Sequence, residues 1–216
     1  MVRRRTLLLP SGYPARDATT YETFRVQLES SGCDLCPLSA ARTRIVVDRG
    51  DPKARVLLVG EGPGAEEDRT GQAFVGRGGK LLDAMLEEAG IDPGRDILIA
   101  NIVKCRPPKN RPPTPEEAAR CLPFLRRQIE LVEPRLIGLF GATAVRTILG
   151  AGAAFRMSER VGRFFLTPEL GSIEIMALFH PAYVLRDPRK RPETVRHLQD
   201  LRARSSELER ERIALN

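Results

Sequence analysis

Four cysteines carry the clearest chemical signal in this 216-residue chain. Cys33, Cys36, Cys105 and Cys121 fall in a C-x2-C, x68, C-x15-C pattern. A C-x2-C pair presents two thiolates to one metal, and four thiolates suit either zinc or an iron–sulfur cluster. A zinc ribbon would bring a second C-x2-C pair, so the spacing leans towards the cluster; four unrelated buried cysteines are the alternative. Between Cys105 and Cys121 runs Arg106-Pro-Pro-Lys-Asn-Arg-Pro-Pro-Thr-Pro115. So many prolines forbid helix or sheet, and the loop is expected to be stiff and extended. Clamped at both ends, it would hold Arg106, Lys109 and Arg111 in a fixed array suited to a phosphate backbone.

A second constellation is Gly60-Glu-Gly-Pro-Gly-Ala-Glu-Glu-Asp68. Gly60-x-Gly62-x-x-Ala65 satisfies a loose dinucleotide fingerprint, yet Glu61, Glu66, Glu67 and Asp68 would repel a pyrophosphate, and Pro63 removes a donor. A Walker A loop fails as well, because Leu81 follows Gly79-Lys80. What an acidic, glycine-rich loop can do is bring bare amides and carboxylates against a small neutral ligand, the amides holding a carbonyl and a carboxylate orienting water. Phe74, set among glycines, reads equally as a stacking platform for a planar ligand or as a plug in the core. Asn101 offers a donor and an acceptor side by side, matching a nucleobase edge. His180, in Phe179-His-Pro-Ala-Tyr-Val-Leu185, is one of two histidines; the other, His197, lies in a charged stretch and is expected at the surface.

These residues need a frame that gathers them. Runs at 55–60, 96–103, 135–140 and 173–179 are mostly apolar, as strands buried on both faces are. Helical patterns alternate with them: about 20–30, Leu81 to Ala89, a capping-box start at Thr114-Pro-Glu-Glu, Ala142 to Leu149, and a long charged helix from about Pro192 to Ile213. Strand–helix alternation predicts an α/β fold with a parallel sheet, and such sheets bind ligands beyond the carboxyl ends of their strands. Glu61, Phe74, Asn101 and His180 all follow or end such strands. The division expected is a basic irregular arm over 1–18 and one domain over 19–216. The balance of 35 Lys+Arg against 28 Asp+Glu leaves +7, a prior for a polyanionic partner. No run reaches the roughly 20 apolar residues of a membrane span, and the three-leucine run after Arg3–Arg5 is too short for a secretory signal. An intracellular protein is expected.

Gly60-Glu-Gly-Pro-Gly-Ala-Glu-Glu-Asp, Gly71-Gln-Ala-Phe-Val-Gly-Arg, Asn101-Ile-Val-Lys-Cys-Arg-Pro-Pro-Lys-Asn110 and His180-Pro-Ala-Tyr resemble the family 4 uracil-DNA glycosylases, the iron–sulfur members of their superfamily. The resemblance runs from about Ser31 to Arg186 and includes all four cysteines in order. It implies a three-layer α/β/α sandwich around a four-stranded parallel sheet, a [4Fe–4S] cluster on the four cysteines, and excision of uracil from deaminated DNA. The enzyme would act as a monomer in the cytoplasm, associated with the nucleoid and not with a membrane. Phe74 would stack on the flipped uracil, Asn101 read its edge, and His180 contact the O2 side, with backbone amides near Gly62 assisting. Glu61 is the first choice for the carboxylate that steadies the sugar cation or orients water, Glu67 the second, and Asn110 would help position that water. Arg106, Lys109 and Arg111 would hold the DNA backbone; Val184, where relatives carry a wedging leucine, would contact DNA together with Leu185 and Arg186. Ala73 and Ala182 stand where the family usually has Pro and Ser. The chain lacks the Lys-Arg-Arg-Ile-His insert of members trapped covalently on uracil DNA, which disfavours a covalent mechanism. A non-catalytic, metal-stapled nucleic-acid-binding module is the rival reading.

Overall fold

The computed structural model describes residues 9–150 and 156–214; the first eight residues of the expected arm lie outside it. Along the chain the helices are α1 (Tyr21–Ser30), α2 (Ala65–Thr70), α3 (Arg77–Glu88), α4 (Pro115–Val132), α5 (Gly141–Leu149), α6 (Met157–Arg160), α7 (Pro181–Arg186) and α8 (Arg191–Ala214). The strands are β1 (Asp48–Gly50), β2 (Val56–Gly60), β3 (Ile97–Asn101), β4 (Leu136–Phe140), β5 (Phe164–Phe165) and β6 (Glu174–Leu178).

Successive side chains of a strand point to opposite faces, and both faces of this sheet are covered. Leu57 and Val59 of β2 join one core with Phe24, Phe124 and Val145, from α1, α4 and α5. Val56 and Leu58 join the other with Leu82, Met85, Val184 and Leu198, from α3, α7 and α8. The result is the three-layer α/β/α sandwich.

The sheet order is β1-β3-β2-β4-β6-β5. The four apolar runs form its parallel centre, β3-β2-β4-β6. Two short antiparallel strands, β1 and β5, extend the sheet to six, beyond the four expected. Asp-Arg-Gly and Phe-Phe are too short to show a period, so neither announces itself as a strand.

Parallel register brings the carboxyl ends together. Gly60 lies opposite Asn101, and Phe140 opposite Leu178, two residues before His180. From Leu9 onwards the arm is anchored, because Leu9 is buried and the Tyr13 ring packs on Phe124. His197, expected at the surface, is only 7% exposed and packs near Phe179, 6.4 Å between ring centroids. The charged helix hides one face against the sheet, and His197 falls on it.

Candidate functional site

A cleft of about 950 Å³ opens at the carboxyl end of the sheet, lined by Glu61, Gly62, Glu67, Phe74, Asn101, Asn110, Arg111, Phe140, His180, Tyr183 and Arg186 among others. It gathers residues from five separate stretches of chain, and Gly60 lies beneath it. A Cβ on Gly60 would collide with the Phe74 ring and with Asn101 Oδ1, so only glycine lets these two side chains converge. In the sequence Gly60 reads as part of a decoy fingerprint; its place at the end of a buried strand is the available clue.

The Phe74 ring lies 5.8 Å from Phe140 and 5.9 Å from His180, centroid to centroid. Its backbone is left-handed (φ 55°), a conformation that costs a non-glycine residue energy. Two features hold it there. Gly79 of α3 packs so closely on the Phe74 backbone that any side chain would collide with it. The Glu67 carboxylate accepts from Val75 N–H (3.0 Å) and Gly76 N–H (2.8 Å) with Oε1, and from Gly64 N–H (3.0 Å) with Oε2. Glu67 is thus a buried clamp on the Phe74 loop, its oxygens occupied by backbone donors. Glu61, by contrast, faces the cleft, and among the described residues nothing holds its carboxylate.

Asn101 is 1% exposed, and its Oδ1 has no hydrogen-bond partner in the protein. An unmet buried acceptor carries a cost that a ligand donor would relieve. His180 caps α7, its Nδ1 accepting from Ala182 N–H at 3.1 Å. Burial, aided by the Arg186 cation, pushes the imidazole down to about 4. The ring is therefore neutral at physiological pH, and with Nδ1 accepting, its proton sits on Nε2, a donor for the cleft.

The structure separates the expected DNA-contacting residues. Val184 is 1% exposed and packs in the core, so it cannot wedge into a duplex; Leu185 and Tyr183 on either side are exposed at 38% and 37%. The turn of α7 decides this, since adjacent helical residues point about 100° apart. Arg111 is also redirected. Its guanidinium forms a two-pronged pair with buried Glu117, at 2.8 and 2.7 Å, and that pairing holds the Glu117 carboxyl below its usual range. Lys109 and Arg186 are exposed, and Arg106 donates from Nε to Asn110 Oδ1 at 2.8 Å. The loop is not wholly extended: Pro108–Asn110 form a 3-10 turn, with Lys109 and Asn110 left-handed.

All four cysteines line one cavity, together with Arg42, Lys104 and Phe124. Two donors point at sulfur: Lys104 N–H at Cys121 Sγ (3.3 Å) and Arg42 Nη1 at Cys105 Sγ (3.5 Å). Burial pushes the Cys105 and Cys121 thiols up to about 11 and about 12. Ionised thiolates there need a compensating cation, and N–H donors aimed at sulfur suit thiolates better than thiols. Among the described residues no three His, Cys, Asp or Glu side chains converge on a point fit for one ion. Four sulfurs border one shared cavity, a donor set that either zinc or an iron–sulfur cluster accepts.

The chain matches the Uracil DNA glycosylase superfamily across residues 47–202. It is 46% identical over 155 residues to the Type-4 uracil-DNA glycosylase of Thermotoga maritima, covering 72% of this chain and 79% of that one. The corresponding protein of Pyrobaculum aerophilum is 42% identical, covering 74% and 83%, and that of Archaeoglobus fulgidus 39%, covering 76% and 84%.

Proposed function

Because this chain belongs to the Uracil DNA glycosylase superfamily and is a uracil-DNA glycosylase of DNA repair, we propose how its cleft performs the excision. The observation that carries this reading is the convergence of Phe74, the orphaned Asn101 Oδ1 and the neutral His180 at the carboxyl end of the sheet. The N-glycosidic bond is hidden in a base pair, so the nucleotide must leave the stack. Phe74 receives the flipped base face-on, and Asn101 Oδ1 accepts the imide N3–H that uracil presents and cytosine lacks.

Cleavage leaves negative charge on uracil O2 and O4 and positive charge on the sugar. His180 Nε2–H, with backbone amides near Gly62, offsets the former. The Glu61 carboxylate steadies the latter or orients the attacking water; Asn110, whose Oδ1 is taken by Arg106, turns its amide N–H groups, unpartnered among the described residues, to position that water. Glu67 serves by holding Phe74. Lys109, Arg106, Arg186 and the exposed Leu185 form the DNA-facing rim.

Cys33, Cys36, Cys105 and Cys121 would hold one [4Fe–4S] cluster, which supplies cross-links between the loop at 33–36, the end of the segment after β3, and α4. The chain would act as a monomer, and DNA as substrate favours action at the nucleoid. The direct test is base release from a uracil-containing strand, read by alkali cleavage at the abasic site. Release from uracil strands and not from cytosine strands is expected; no release would overturn the reading.

A further inference from the structure

Lys104 is 1% exposed, and among the described residues no carboxylate lies within ion-pair distance of it. Its ammonium instead donates to the Asn101 backbone carbonyl (2.9 Å) and to Gln128 Oε1 on α4. Burying an ammonium against neutral acceptors is expensive, and a methionine would fill the same space without that cost. Lysine supplies a cation facing Cys121, Asp48 and Cys105 and a pair of hydrogen bonds, and the hydrogen bonds join the peptide of Asn101 to α4. Gln128 is itself fixed, its Nε2 donating to Tyr21 Oη (2.8 Å) and Val47 O (3.3 Å), with Tyr21 Oη donating on to Asp48 Oδ2 at 2.6 Å. The Lys104 backbone is held too, through its N–H on Cys121 Sγ and its carbonyl accepting from Val46 N–H at 2.8 Å.

We propose that Lys104 is a positioning residue for uracil recognition, a buried tether that pins the Asn101 peptide to α4 and so fixes where Asn101 Oδ1 meets the base. The proposal rests on the base-reading role of Asn101 given above. Strand β3 ends at Asn101, and the peptide that follows is held from two sides: Ile102 N–H donates to Gly60 O (2.9 Å), while the Lys104 ammonium holds the Asn101 carbonyl of the same peptide, with which the side-chain oxygen moves. Geometry in such sites is exacting, and a misplacement of about 1 Å costs on the order of 10²-fold. The tether also ties base reading to the helix that carries Cys121, so a disturbance of the cysteine cavity reaches Asn101 through one side chain.

The experiment compares the full-length protein, Lys104→Met, the double variant Lys104→Met/Gln128→Met, and Asn101→Ala. Each is titrated with duplex DNA containing non-cleavable 2′-fluoro-deoxyuridine and with the same duplex undamaged, and melted thermally. Lys104→Met should lose about tenfold of the preference for the uracil analogue, with binding of undamaged DNA unchanged. Removing both polar partners leaves no orphaned group between them, so the double variant should regain thermal stability without regaining preference. Preference within twofold of the parent in either variant, or its recovery in step with stability, would overturn the proposal. A parent with no preference, or Asn101→Ala with full preference, would overturn the base-reading role itself and the proposal with it.

Discussion

Glu61, in the loop after β2, and Glu67, in the first turn of α2, line one cleft, but their oxygens are differently occupied. Three backbone N–H groups converge on Glu67, whereas among the described residues none holds the Glu61 carboxylate, which lines the cleft. Glu61→Gln should therefore slow single-turnover excision by about 10²-fold with an unchanged melting temperature. Glu67→Gln turns an amide towards at least one backbone donor and should lower stability by about 1–3 kcal/mol, slowing excision through the Phe74 loop. Loss of rate in Glu67→Gln at unaltered stability, beside a fast Glu61→Gln, would exchange their roles. His180 makes a prediction of opposite character. Burial lowers its pKa from 6.5 to about 4, so as pH falls the unfolded chain takes up the proton first. Its contribution to stability is whole above about 6.5 and drains away down to about 4. Protonation would also set an Nδ1–H against Ala182 N–H and end the cap. Single-turnover rates should show no His180 limb between pH 8 and 5, and a limb near 6.5 that disappears in His180→Ala would contradict the neutral ring.

At the scale of elements, the proline-rich loop is divided between two tasks. Arg111 faces back onto Glu117, which also accepts from Thr114 N–H (2.7 Å), while Thr114 Oγ1 accepts from Glu117 N–H (3.2 Å). That reciprocal cap starts the helix bearing Cys121 and Gln128. On the proposed reading, Lys109 and Arg106 are the loop cations left to meet phosphate. Changing both to Ala should reduce the slope of log affinity against log salt by about 0.9 for each duplex phosphate no longer neutralised, on uracil and undamaged DNA alike. Arg111→Ala should chiefly lower the melting temperature, with little change in slope. Equal slopes for the parent and the Lys109/Arg106 variant would leave the loop as a housing for the cysteines alone.

At the scale of the molecule, the cysteines lie on segments that the sheet does not join directly. The loop at 33–36 precedes β1, Cys105 follows β3, and Cys121 lies on α4. Purified without air, the protein should be brown, absorb broadly near about 400 nm and carry about four irons per chain. Chelation should bleach it and lower the melting temperature, because the cross-links hold only the folded state. A colourless protein with stoichiometric zinc would contradict the cluster.

The elements and the chemistry-bearing residues were legible in the sequence for local reasons. Continuous apolar runs mark doubly covered strands, Thr114-Pro-Glu-Glu marks a helix start, and Asn101 and His180 stand at or just after the ends of such strands, where an α/β sheet binds ligands. Family motifs supplied the reaction. Only the tertiary structure decided which side chain of a group is free to act. Val184 and Leu185 are neighbours in sequence, but the helical turn sends one into the core and the other to solvent. Glu61 and Glu67 look alike until backbone donors from the Phe74 loop arrive at one of them. Nothing in the sequence singles out Lys104 until β3 and α4 close over it, and Gly60 belongs to a decoy fingerprint until Phe74 and Asn101 meet above it. Patterning records the demands of a residue's own strand or helix, whereas these assignments depend on partners brought in from distant parts of the chain.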